Sequence, residues 1–353
     1  MEEATLTTVA AAPAASAQAA KEAFLSDWPK LSITASSADY YFDSYNHYGV
    51  HEDVLKDTET TAAFQRAIKQ NAHLFRGMVV LDVSAGLGIN ALFAVQAGAK
   101  KVIALETQPE LVAMGSMVAA KNGFGPEVIE FVCGTASTLE QLPGGLECVD
   151  IIVSGWMGYF LTYEARLGEV LKARDRWLKA DGLLFPDRAK QYVALIEDAE
   201  YKRHHFEYYD AVWGFDFSAM KGAAHSEPVV NTFAEDRLIS APACVLDLNL
   251  HHCTADDCFQ WASSMQLVCK REGKAHGMLS WFEIRFECCH KPVFFSTGPE
   301  SNPTCWKQTA FFFDGEPLSL KHKDRVRAML AVRKVHENRR NMDIKISCRV
   351  NSG

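Results

Sequence analysis

The chain has 353 residues, 48% of them hydrophobic and 23% charged, and a formal net charge of −8. That length gives room for about two domains with packed cores, and the hydrophobic share excludes wholesale disorder. No run reaches the roughly 18 unbroken apolar residues of a membrane span. The balance of 36 Lys+Arg against 44 Asp+Glu argues against a general nucleic-acid binder.

Residues 1–38, rich in Ala, Thr and Ser, read as a mobile tail with a short helix around Ala19–Leu25. The tail opens Met1-Glu2-Glu3 and its first base is Lys21, unlike an export signal or a mitochondrial presequence. Ten scattered cysteines with no CxxC pair point to reduced thiols and a cytoplasmic chain, with the nucleus also open. From Asp39 to Pro186 apolar runs alternate with helical stretches. Val79–Val83 reads as a fully buried strand, followed by Gly86, Gly88 and a helix over Ile89–Ala97. Lys101–Glu106 is a second strand, Pro109–Asn122 a helix, Val128–Cys133 a third strand and Val149–Ser154 a fourth. Strands and helices alternating at these lengths predict an α/β domain with a parallel, doubly wound sheet.

After Phe185-Pro186-Asp187 the period changes, which sets domains of 39–186 and 187–353. Ile344, Ile346, Cys348 and Val350 alternate with polar residues, and so do Phe282, Ile284 and Phe286, as in an antiparallel β-barrel or sandwich. The basic run Arg325 to Arg340 flanks an apolar strand pattern and reads as a solvated barrel rim. Phe206, Tyr208, Tyr209, Trp213, Phe215 and Phe217 crowd six aromatics into twelve residues without a strand period. They suit either a helical insert packed on its own barrel or an arm that docks on a partner. His251, His252, Cys253 and Cys258 match no standard zinc spacing, so no metal is expected.

The chemistry concentrates in the first domain. A strand, a glycine loop, a helix and then Glu106, eighteen positions past Gly88, make a nucleotide-type site. Glycines let the backbone approach a ligand, the helix start offers N–H groups, and the acid accepts from ribose hydroxyls.

Several ordered motifs carry a family resemblance: Asp39-Tyr-Tyr-Phe-Asp-Ser-Tyr45, Val80-Leu-Asp-Val83, Ser154-Gly-Trp-Met-Gly-Tyr159 with Tyr163-Glu164, Phe185-Pro-Asp-Arg188, and Thr304-Cys-Trp-Lys-Gln-Thr309. Together, over about Asp39 to Val350, the chain resembles type I protein arginine N-methyltransferases. The resemblance implies a Rossmann-like domain for S-adenosylmethionine, a β-barrel, and a dimerisation arm at about 201–228. It thereby selects the interface reading for the six aromatics.

The same resemblance exposes departures at ligand-facing positions. The family places two glutamates in its loop to hold the substrate guanidinium; here the first is Gly155 and only Glu164 remains. Ser84 replaces the first glycine of the loop, where its side chain either blocks the ligand or sits harmlessly at negative φ. Thr60 takes the place of the arginine for the methionine carboxylate, and Ser137 that of the acid for the adenine amino group. Cys305 replaces a histidine that meets the aspartate at Asp43. Gly86, Gly88 and Glu106 are then vestiges, and Glu164 is a buried acid bonded within its own loop. These departures lead to the expectation of a noncatalytic, prozyme-like subunit. It binds no cofactor itself and pairs with a catalytic paralogue that holds S-adenosylmethionine, or with a second copy. Arg/Gly-rich proteins are the expected substrates, with no membrane or direct nucleic-acid contact. The alternative expectation is a divergent but active methyltransferase using Glu164 with a second acid that no motif marks.

Overall fold

The computed structural model describes residues 48–163, 166–334 and 342–350. The expected tail, the motif from Asp39 to Tyr45 with Asp43, the basic positions Arg339 and Arg340, and Glu164 lie outside the described residues.

Helices α1 (Tyr48–Lys56), α2 (Thr58–Gln70) and α3 (Ala72–Phe75) lead into the first sheet. On α2, Thr60, Ala63, Phe64, Ala67 and Ile68 are buried at helical spacing, which seats one face on the core. There follow β1 (Val79–Val83), α4 (Ile89–Gln96), β2 (Lys101–Glu106), α5 (Pro109–Lys121), β3 (Ile129–Cys133), β4 (Val149–Val153), α6 (Leu167–Trp177) and β5 (Leu178–Phe185). The strands pair in parallel in the order β3-β2-β1-β4-β5. Buried apolar runs such as Val80-Leu81 and Ile151-Ile152-Val153 suit a sheet covered by helices on both faces. The order reverses between β1 and β4, so the loops leaving those two neighbours open a crevice at their carboxyl ends. Inside that crevice the Ser154 hydroxyl donates to the Val83 carbonyl at 2.6 Å, tying the two strand ends together. Gly88 and Gly115 both face Phe131: a Cβ would come within 2.5 and 2.3 Å of its ring. Their missing side chains let α4 and α5 close onto β3.

The second half is antiparallel. It comprises β6 (Arg188–Ile196), the arm helices α7 (Ala199–His205) and α8 (Lys221–Ser226), β7 (Val229–Asn231) and β8 (Ala243–Asn249). Next come α9 (Ala255–Phe259), β9 (Gln260–Val268), β10 (Gly273–Ala275), β11 (Gly277–Phe286) and β12 (Val293–Ser296). The chain then runs through β13 (Gln308–Phe312), β14 (Leu318–Leu320), β15 (Arg325–Lys334) and β16 (Met342–Val350). Among the described residues, β7-β13-β11-β6-β8 form one ladder with β12 on β11, β16-β15-β9 a second, and β10-β14 a third. The predicted alternation in β16 is present at Ile344, Ile346 and Cys348, which pack against the core formed with Val326, Ala328 and Leu330 of β15, whereas Val350 at the strand end is exposed.

Polar contacts join the halves. The Asn71 side chain donates to the Lys291 carbonyl at 3.0 Å and accepts from the Lys291 N–H at 2.8 Å. The Asn302 amide donates to Glu59 at 2.8 Å.

In the arm, Trp213 is 92% exposed and Phe215 69%, with Tyr208 and Phe217 also exposed and Tyr209 half-buried. Phe206 departs from the expectation of an interface residue. It is 2% exposed, stacks on His225 with ring centroids 3.9 Å apart, and packs on Phe312. That residue anchors the arm to its own sheet domain and leaves the others to project.

Candidate functional site

The crevice begins with the loop after β1. Ser84, Gly86 and Gly88 have φ of 59°, 54° and 80°, so these three positions of the turn are left-handed. The expectation of a harmless serine at negative φ does not hold: Ser84 adopts the conformation a glycine takes without strain. For a residue with a Cβ this costs about 1–2 kcal/mol. The substitution therefore burdens the backbone while the loop keeps its glycine-type path.

Glu106 ends β2 beside this loop and is buried. Its Oε2 accepts from the Gly86 N–H at 2.8 Å. Its Oε1 accepts from the Thr107 N–H at 2.7 Å, the Thr107 hydroxyl at 3.0 Å and the Gln108 N–H at 3.2 Å. Four donors orient the carboxylate and compensate its burial. Asp82, one strand over, is less well served. Its Oδ2 accepts from the Ala91 N–H at 3.1 Å, but its buried Oδ1 has no hydrogen-bond partner among the described residues. Burial pushes the Asp82 carboxyl up to about 8; the Ala91 N–H opposes this, and the nearby Glu106 charge adds to it. His51 on α1 comes into the same crevice: a Cβ on Gly86 would lie 3.7 Å from its Nδ1.

Ser137, in place of the expected adenine-side acid, does not stand without a carboxylate. Its N–H donates to Glu169 Oε2 at 2.9 Å and its hydroxyl to Glu169 Oε1, while Lys172 Nζ reaches Ser137 Oγ at 2.6 Å. Burial would raise the Glu169 pKa, but the Ser137 hydroxyl and Lys172 outweigh it and hold the carboxyl below its usual range. Glu169 lies 32 residues from Ser137, on α6, so no local motif marks it.

Thr60 is committed elsewhere. Its N–H donates to Asp57 Oδ1 and its hydroxyl to Asp57 Oδ2, both at 2.9 Å, which is an N-cap on α2. Asp57 Oδ2 also accepts from the Cys305 N–H at 2.8 Å. The seam that lost its histidine is thus bridged through the backbone at Cys305, a donor indifferent to side-chain identity. Burial, then the Asp57 charge, pushes the Cys305 thiol well up, so it stays protonated.

The loop after β4 completes the crevice. A Cβ on Gly155 would meet nothing within 4 Å, whereas Trp156 and Met157 are buried. Phe160 and Leu161, also buried, hold φ of 50° and 67°, and strain in bulky residues is commonly kept where a loop must take one shape. Trp156 Nε1, Thr304 Oγ1 and Trp306 Nε1 are buried without a hydrogen-bond partner among the described residues. Each is an unmet polar group that a polar ligand or water satisfies.

These residues fit a nucleoside at one end. Gly86 leaves room, Glu106 offers oriented acceptor oxygens, and Glu169 supplies a carboxylate beyond β3. At the Thr60 end, a capped hydroxyl stands where a cation is expected.

Residues 81–185 match a methyltransferase domain, and residues 187–353 match the arginine methyltransferase oligomerization subdomain. Protein arginine N-methyltransferase 1 of Schizosaccharomyces pombe is 43% identical over 314 residues, covering 88% of this chain and 90% of that one. The protein of the same name from Caenorhabditis elegans is 40% identical over 313 residues, 88% of each chain. Among solved structures, the Trypanosoma brucei PRMT1 enzyme–prozyme heterotetrameric complex with AdoHcy has a similar chain. That chain gives a TM-score of 0.83 at 33% identity, covering 88% of this chain and 96% of its own. Arabidopsis thaliana protein arginine methyltransferase 10 gives 0.78 at 26% identity, over 88% and 95%.

These relatives overturn the expectation of a noncatalytic subunit that leaves S-adenosylmethionine to a partner. Chains about two-fifths identical over nearly the full length carry the enzyme's name. The physical error lay in scoring each motif substitution as a lost contact. Ser84 keeps the left-handed turn, Glu169 puts a carboxylate at Ser137, and Glu106 retains its cradle.

Proposed function

The chain belongs to the protein arginine N-methyltransferase family, and on that premise we propose that it binds S-adenosylmethionine itself and methylates arginine guanidinium groups in proteins. The Glu106 carboxylate, oriented by four donors beside Gly86, carries the reading from the structural side. S-adenosylmethionine supplies a sulfonium methyl to the reaction. Glu106 accepts from ribose hydroxyls, the glycine loop from Ser84 to Gly88 lets the backbone approach, and Glu169 accepts from the adenine amino group in place of an acid at Ser137. His51 lines the glycine loop. The substrate guanidinium, with a pKa above about 12, stays charged and must be held in plane and in line. Glu164 holds it. Gly155 contributes no charge, so transfer runs with one carboxylate where the family uses two. Proteins rich in Arg and Gly are the substrate class.

The test uses the full chain purified alone. Calorimetric titration should show saturable S-adenosylmethionine binding, and radiolabelled methyl should pass to an Arg/Gly-rich peptide. Glu106→Gln should weaken that binding by about tenfold to a hundredfold, the worth of a hydrogen bond to a charged group. A homogeneous preparation that neither binds the donor nor labels the peptide would refute the proposal.

Oligomerisation accompanies this activity. We infer that the arm of one copy seats on another copy, with Trp213 and Phe215 meeting the apolar face of α5 around Met114 and Met117, which are 50% and 57% exposed. Exposed aromatics that anchor an interface are worth about 2 kcal/mol or more each. Trp213→Ser should therefore loosen self-association by about thirtyfold or more in sedimentation equilibrium. An unchanged association constant removes the arm from the interface.

A further inference from the structure

Away from the crevice, the turn between β8 and α9 brings two thiols together. Cys258 Sγ donates to Cys253 Sγ at 3.7 Å, and both residues are buried. A capping box produces this approach. The Thr254 N–H and hydroxyl each donate to Asp257 Oδ2 at 2.8 Å, and the Asp257 N–H returns to Thr254 Oγ1 at 3.3 Å. That box winds the chain so that the residues at its two ends lie side by side. The turn is fixed from outside as well: Arg174 on α6 donates to the carbonyls of Leu250 and Cys253, at 2.6 and 2.8 Å. The Cys253 thiol lies below its ordinary range because the Cys258 donor, with Arg174 near, outweighs its burial, whereas donating to Cys253 and burial push the Cys258 thiol up. One sulfur is thus the better nucleophile and the other its natural resolving partner. A disulfide bond of about 2.05 Å requires the sulfurs to close by less than about 2 Å. The spacing, five residues apart, matches no metal pair, and the sequence marks the two cysteines only as reduced thiols without showing that they meet.

We propose that Cys253 and Cys258 form an oxidisable dithiol, converted by hydrogen peroxide into an internal disulfide that fastens the first turn of α9. Cys253 sulfur attacks one peroxide oxygen, the O–O bond breaks, and one water leaves with a sulfenic acid formed. Cys258 sulfur then attacks Cys253 sulfur, the S–O bond breaks, and the departing hydroxide leaves as water with the Cys258 proton. Two thiols lose two electrons and the peroxide becomes two waters.

The experiment treats the full chain with graded hydrogen peroxide, blocks remaining thiols by alkylation, and digests with a protease that cleaves before aspartate. Asp256 and Asp257 separate the two cysteines, so their peptides remain joined only through a disulfide. The joined pair, two hydrogens lighter, should appear at lower peroxide than oxidation of the exposed Cys133 and Cys244. Cys253→Ser should abolish the joined pair, and the wild-type map decides the matter even if that variant folds poorly. The proposal falls if Cys133 and Cys244 oxidise while Cys253 and Cys258 remain alkylated, or if either links to a different cysteine.

Discussion

Gly155→Glu should accelerate methyl transfer by on the order of a hundredfold to a few thousandfold. Removing one partner from a buried charged constellation costs roughly 3–5 kcal/mol, and restoring it returns that amount to the transition state. The backbone at Gly155 is ready for the change. A Cβ there meets nothing within 4 Å, and the flanking Ser154 and Trp156 are buried and hold the loop in place. A second carboxylate would help fix the guanidinium plane and localise its charge, acting more strongly in the transition state than on the free substrate. The gain should therefore appear in kcat with an Arg/Gly-rich peptide at saturating donor, while donor affinity stays within a few fold, since none of the four donors to Glu106 comes from the Gly155 loop. A variant no faster than the parent would mean that an acid from elsewhere already fills the second position.

Asp82→Asn should stabilise the fold, by an amount that grows with pH. The Asp82 carboxyl titrates near 8 in the folded chain against 3.8 for the free group, because it is buried with one oxygen unpaired. Below about pH 4 it is protonated in both states. As pH rises from there toward about 8, the unfolded chain releases the proton while the folded chain retains it. Wild-type stability therefore falls by about 1.4 kcal/mol per pH unit over that window and levels off above it. Asparagine is neutral in both states and removes the dependence. Urea unfolding at about pH 5 and about pH 7.5 should show the gap between variant and wild type widening by roughly 2–3 kcal/mol. A gap that is the same at both pH values would place the Asp82 carboxylate, ionised, among partners that satisfy it.

Much of the fold was legible because its signals are local. Val79–Val83, Lys101–Glu106 and Val149–Val153 are short apolar runs bounded by turn residues, as fully buried parallel strands are. Polar alternation from Ile344 onward marked an antiparallel strand, which the structure places in β16 (Met342–Val350). Glu106 was readable as a candidate because its position, at the end of the strand after a glycine loop, is itself a local feature. The aromatic density of the arm was visible too, but Phe206 was misplaced: its burial depends on His225 and on Phe312, a ring more than a hundred residues away.

The reading of lost function failed for the same reason. A motif position shows which side chain is missing but not what has moved in beside it. Chain order alone determined the layered α/β half, the antiparallel half and the glycine-loop acid, since hydrophobic period and turn chemistry act over a few residues. Only tertiary packing decided that Glu169 answers Ser137, that His51 reaches Gly86, and that the backbone of Cys305 bridges to Asp57. Those pairs are 32, 35 and 248 residues apart, and contacts at such separations form only once the sheet has set the distances between its loops.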